Sequence, residues 1–225
     1  MKLRTRHVVS MLIMGILLIC LLPYAISLLK ILFVTKHISI WRQLSLYQWS
    51  AIGAVVYLII QKYLSKNIEW LEVLSHELTH AAVTMLSFKK VHSLSATEKQ
   101  GGEVQVSGLN FASDVAMRLA PYCLPLFTYP LLMIRPLIDF HGRAIFDVLI
   151  GITLCFHIIC FKKQTKSHQP DLNYYPKAFT YMYIITAHLM NFCIILVAFF
   201  PRYNVFSSFW RMVCSIWEQV MNFFM

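Results

Sequence analysis

A chain of 225 residues would ordinarily fold as one or two soluble domains, but 58% of this one is hydrophobic, only 13% is charged and the mean hydropathy is +0.62, which excludes that class. The formal charge of +10 does not mark a nucleic-acid binder, because Lys and Arg are scattered between apolar runs as membrane anchors rather than gathered on one polar face. Cys20, Cys123, Cys155, Cys160, Cys193 and Cys214 lie in or beside apolar segments without knuckle or disulfide spacing and read as small buried hydrophobes.

Lys2, Arg4 and Arg6 precede an apolar run from Val8 to Leu29. That run is about twice the length of a cleaved signal core, so it reads as a retained anchor whose N-terminus stays in the cytoplasm. Apolar segments stand at about 8–29, 44–60, 69–88, 115–134, 144–161 and 178–200, and a helix needs roughly 20 apolar residues to cross a bilayer. The fourth carries Pro121, Pro125 and Pro130 before Pro136, which predicts broken or re-entrant backbone. Between the third and fourth, residues 89–109 change character: Gly101-Gly102 leads into alternating Glu103-Val104-Gln105-Val106, the pattern of a β-hairpin with a Gly-Gly turn. After Pro201, the residues Phe209, Val213, Ile216, Val220 and Phe223 recur at spacings of three and four, as in an interfacial helix.

The fold expected is an all-α polytopic membrane protein with about six transmembrane or re-entrant helices, a small β-hairpin near 89–109 and a C-terminal amphipathic helix. Its expected divisions are anchor helices over 1–68, a membrane core over 69–200 and an interfacial tail over 201–225.

The third segment contains Ser75-His76-Glu77-Leu78-Thr79-His80, an HExxH pattern in a helical, largely apolar run. Histidines four apart share one helix face and can reach one ion, and the carboxylate of Glu77 beside them can take a proton from a water that the metal activates. With nine His and six Glu in the chain, chance produces such a match about once in a hundred sequences. Ionisable groups at membrane depth are costly, and they usually face a cavity, a partner or a metal.

A catalytic zinc takes three protein ligands, so a third is required. The metzincin pattern is excluded, because Val83 and Leu86 stand where its glycine and third histidine would be. Glu98 and Glu103 fall in the expected hairpin, and Glu218 lies in the tail. The aspartates, all of which follow the motif, are Asp114, Asp139, Asp147 and Asp171.

Over roughly residues 69–200 the sequence resembles the site-2 protease family of intramembrane zinc metallopeptidases, particularly its short bacterial members. The resemblance rests on His76 to His80, and less strongly on Gly101-Gly102, His157 and Gln169-Pro170-Asp171. It implies a zinc ion held by His76, His80 and a distant Asp near a later helix, with Glu77 as general base. The Gln-x-Asp likeness points to Asp171. A count of crossings points instead to Asp147, since three full crossings after His76 would leave Asp171 on the opposite side of the membrane.

His157 and Asn191 are candidates to support the site, the former as a donor to a ligand or an oxyanion. Gly101, Gly102, Val104 and Val106 are candidates to pair with an extended substrate. The resemblance further implies a multi-pass protein of a bacterial cytoplasmic membrane, embedded in lipid and acting on membrane-protein or peptide substrates. Two rivals remain at this point. One is a hydrolase of soluble peptides that uses Glu98 or Glu103 as third ligand; the other is a non-catalytic metal-binding scaffold or metal transporter.

Overall fold

The computed structural model describes residues 3–34, 40–97, 101–165, 169–199 and Cys214. Most are helical. In chain order the elements are α1 (Leu3–Val34), α2 (Ile40–Leu86), β1 (Lys90–Thr97), β2 (Gly101–Ser107), α3 (Phe111–Leu119), α4 (Thr128–Ile134), α5 (Phe140–Gln164), α6 (Pro170–Tyr174) and α7 (Lys177–Ala198), with 3₁₀ turns at Ala120–Tyr122 and Arg135–Leu137.

Among the described residues three helices are long and apolar enough to cross a membrane, Thr5–Leu29, Gly142–Gln164 and Lys177–Ala198. About six transmembrane or re-entrant helices are expected from the sequence, and the segments at 44–60, 69–88 and 115–134 make the difference. The segments at 44–60 and 69–88 fall on the two helical stretches of α2, which meet at a kink where Leu64 leaves helical geometry (φ −121°, ψ 23°). The polar stretch around Gln61, Lys62 and Lys66, which interrupts the apolar run, coincides with that kink. The segment at 115–134 is no continuous helix: it is divided among α3, a 3₁₀ turn and α4. Its prolines break the ladder, and local bonds hold the turns between them, the Leu124 amide donating to Ala120 O (2.7 Å) and that of Thr128 to Pro125 O (3.0 Å). The expected amphipathic helix over 201–225 lies outside the described residues, Cys214 apart.

The chain forms two compact units, residues 1–47 with 181–225, and residues 48–180. In the first, Tyr24, Ala25 and Leu28 of α1 bury against Cys193 and Val197 of α7.

In the second unit α2 and α5 cross in close contact through glycine. A Cβ on Gly53 would lie 2.0 Å from the carbonyl oxygen of Val148, and one on Gly151 1.9 Å from that of Ser50. Only residues without side chains permit this approach of two helix backbones. Further along the same pair, Tyr57, Ile68, Phe156 and Cys160 form a buried core, with the Tyr57 and Phe156 rings edge to face at 5.8 Å. Lys163 Nζ closes the contact on Glu72 Oε1 at 2.6 Å.

Helix α2 ends abruptly, with Phe88 in the left-handed region (φ 56°). The Lys89 amide bonds back to Thr84 O and the Phe88 amide to Met85 O, the paired pattern of a Schellman cap. The turn delivers the chain into β1. Strands β1 and β2 pair antiparallel with Leu94 opposite Val104 and Val91 opposite Val106. The Gly-Gly pair does not form the turn, as had been expected: Gly101 and Gly102 lie in β2, opposite Thr97 and Ala96. A capping box at Asn110 and Ser113 then starts α3.

Candidate metal centre

His76, Glu77 and His80 lie on the second half of α2 and are 6 to 8% exposed. The polar residues around them are satisfied along the helix: Thr79 Oγ1 donates to Ser75 O (2.6 Å) and Thr84 Oγ1 to His80 O (2.8 Å). The two imidazoles meet edge to face with centroids 4.7 Å apart, as one helical turn between them requires.

Asp171 completes the group from the first turn of α6, where Pro170 starts the helix. Its Oδ2 lies 3.4 Å from His80 Nε2 and 3.8 Å from His76 Nε2. One ligand atom from each of the three residues lies within 4.8 Å of the others, and among the described residues no other group of three metal-binding side chains converges in this way. A tetrahedral zinc with bonds of 2.0 to 2.2 Å requires ligand atoms about 3.3 Å apart, so the donor set and its spacing fit zinc.

The outer contacts differ from ligand to ligand. His80 Nδ1 is hydrogen-bonded to Met117 O at 2.7 Å, which leaves Nε2 as the nitrogen that could bind a metal. Asp171 Oδ1 accepts from Arg118 Nη1 at 3.2 Å, so its other oxygen is left for the histidines. Arg118 is itself held by Asp114 and Tyr174, with Tyr175 behind Asp114. Its Nε donates to Asp114 Oδ1 at 3.1 Å, its guanidinium stacks 3.8 Å from the centre of the Tyr174 ring, and the Tyr175 hydroxyl donates to the other oxygen of Asp114. Burial pushes the Asp171 carboxyl up, but the His76 and His80 imidazoles beside it lower it by more and hold it well below the usual carboxylate range.

Glu77 points at the hairpin. A Cβ on Gly102 would lie 2.1 Å from its Cγ and 2.6 Å from Oε1, so β2 passes directly over the carboxylate because residue 102 has no side chain. Glu77, the three ligand-bearing residues, Arg118 and the stretch Gly102 to Val106 line one open cavity of about 550 Å³.

The remaining candidates are distributed as follows. Asp147 is taken up elsewhere: Arg135 grips it with Nε on Oδ1 at 2.6 Å and Nη2 on Oδ2 at 3.2 Å, and it is not in the converging group. The crossing count that pointed to it assumed a continuous helix over 115–134, and the broken backbone there removes that premise. His157 lines a narrow cavity that His76 also lines. Asn191 is buried in the first unit. Gly102, Val104 and Val106 line the open cavity, and Gly101 precedes them on β2.

Sequence reasoning passed over Arg118, Met117, Tyr174 and Tyr175. Asp114 and Arg118 are an i,i+4 acid–base pair, which is a readable signal, but such pairs are common and nothing local ties this one to residue 171.

A family model described as Peptidase M50B-like matches residues 48–165. The match includes His76, Glu77 and His80 and stops short of Asp171. No curated protein matches the chain, and no solved structure does. Since the model covers more than half of the sequence, the chain belongs to the Peptidase M50B-like family, within the site-2 protease family of membrane metallopeptidases.

Proposed function

We propose that this protein is an intramembrane zinc metalloprotease that hydrolyses peptide bonds in membrane-embedded or juxtamembrane segments, in a bacterial cytoplasmic membrane. The observation that carries this reading is the convergence of His76, His80 and Asp171 on one point, with Glu77 beside them in the same open cavity. In this reading His76, His80 and Asp171 hold the zinc. When bound, zinc supplies Lewis acidity, which polarises a carbonyl oxygen and brings the pKa of water near neutrality.

Glu77 is the proton carrier. It accepts a proton from the attacking water and delivers it to the departing amine nitrogen. Its carboxylate is not one of the converging ligand atoms, so it is available for that transfer. Met117 O fixes the His80 ring through Nδ1, and Arg118 fixes Asp171 through Oδ1. A scissile peptide must be extended to expose its carbonyl, and among the described residues β2 has β1 on one side only. Its free edge, from Gly101 through Gly102, Val104 and Val106, is the proposed support for such a strand.

The test compares the purified parent with Glu77→Gln and His76→Ala, reading zinc content and cleavage of a membrane-protein substrate. Glu77→Gln should keep its zinc and lose turnover by a factor of about 10²–10⁴, and His76→Ala should lose both. Undiminished cleavage by Glu77→Gln would end the enzyme reading, and bound zinc without cleavage in the parent would favour the scaffold or transporter.

A further inference from the structure

His76 and His80 stand one turn apart on one helix, yet their outer nitrogens are treated differently. His80 Nδ1 has Met117 O at 2.7 Å. His76 Nδ1 is buried and has no hydrogen-bond partner in the protein, although the residue is only 7% exposed. A histidine that binds metal through Nε2 carries its proton on Nδ1, and that N–H ordinarily donates to a carboxylate, a carbonyl or a water. Leaving such a donor unmet in a buried site is destabilising.

The surroundings offer a partner. The Nε2 edge of His76 faces Asp171 in the open cavity, and the same residue walls a second cavity together with Ser75, Thr79, His157, Cys160 and Gln164. Its volume is about 20 Å³. A single water needs roughly 10–15 Å³ and two to four polar neighbours. Ser75, His76, Thr79, Thr153, His157 and Gln164 are the polar residues of its wall, whereas Phe127, Phe156 and Leu124 are among the apolar ones.

We propose that one buried water in this cavity accepts the His76 Nδ1 proton and donates to the His157 imidazole, making His157 a positioning residue for the metal ligand His76. The proposal rests on the zinc reading above. The water fixes the His76 tautomer with Nε2 free, the role that Met117 O plays for His80. His157 touches neither substrate nor metal, so its effect is on metal affinity and ligand orientation.

The experiment uses the full chain in detergent and reads zinc affinity by chelator competition, together with the visible spectrum of the cobalt-substituted protein. His157→Phe, which removes the acceptor and fills the space, should weaken zinc binding about 10–100-fold and alter the cobalt bands. His157→Gln, which keeps an acceptor, should restore most of the affinity. Unchanged affinity and spectrum in His157→Phe, while His76→Ala loses its metal, would overturn the proposal and leave the zinc site standing. If His76→Ala also keeps its metal, the zinc reading itself fails.

An isotope-labelled imidazole NMR spectrum of the zinc-loaded parent tests the same point without substitution. A His76 Nδ1 proton in contact with a bound water supports the bridge, and one in contact with a protein oxygen refutes it.

Discussion

Asp147 on α5 and Asp171 on α6 each meet an arginine, and the two arginines leave very different carboxylates behind. Arg135 spends Nε and Nη2 on Asp147 and occupies both of its oxygens, in a site where the two residues are 9% and 5% exposed. Arg118 divides itself, with Nε on Asp114 and Nη1 on Asp171, and so takes a single oxygen of Asp171. The other oxygen faces the two histidines. A fork that closes on a carboxylate makes a structural pair, and a fork that closes on half of one orients a ligand.

The strongest way to break this comparison is to remove the carboxylates one at a time. Asp171→Ala should lose zinc, leaving the two histidines as the remaining protein ligands, and with it all cleavage; metal analysis of the purified protein reads the first. Asp147→Ala should keep its zinc but strand Arg135, lowering stability by about 3 to 5 kcal/mol, read as an earlier unfolding transition in detergent. Zinc loss in Asp147→Ala with retention in Asp171→Ala would exchange the two roles.

Removing the arginines sharpens it. Arg135→Ala leaves the buried Asp147 uncompensated and should cost a similar 3 to 5 kcal/mol or so with zinc affinity unchanged. Arg118→Ala frees Asp171 to rotate and should weaken zinc about 10–100-fold, measured by chelator competition. Because Asp114 holds Arg118 from behind and Tyr175 in turn holds Asp114, Asp114→Asn should move zinc affinity in the same direction by less. Equal effects of the two arginines on zinc affinity would erase the distinction drawn between them.

What could be read in advance follows the range of the interactions. His76, Glu77 and His80 are local: their spacing on a helix is their geometry, and no fold is needed to bring them together. The hairpin is also local, and β1 and β2 follow the alternation around Val104 and Val106. Its glycines were legible as glycines but not for their reason. Gly102 is small because Glu77, on another element, lies where its side chain would be. The choice between Asp147 and Asp171 turned on the backbone over 111–137, where the prolines announced a break but not which way the chain would turn. Helix α2 reads as two segments because hydropathy falls around Lys62 and Lys66, and the backbone leaves helical geometry between them, at Leu64.

The smallest expected effect is the most discriminating for the Asp147 pair. If Arg135 and Asp147 serve only one another, replacing both by apolar residues of similar volume, Arg135→Met with Asp147→Leu, removes two desolvated charges at once and leaves neither stranded. Buried ion pairs exchanged in this way are often neutral or stabilised by about 1–4 kcal/mol, whereas breaking one side is costly. The expected outcome is an unfolding transition at or above that of the parent, well above either single variant, with zinc affinity unchanged. The corresponding exchange at Asp171 has no such rescue, because the oxygen facing His76 and His80 is lost whatever stands at Arg118. A double variant at 135 and 147 that lost zinc would show that Asp147 answers to the metal as well as to Arg135, and the two aspartates would then have to be treated as one linked site.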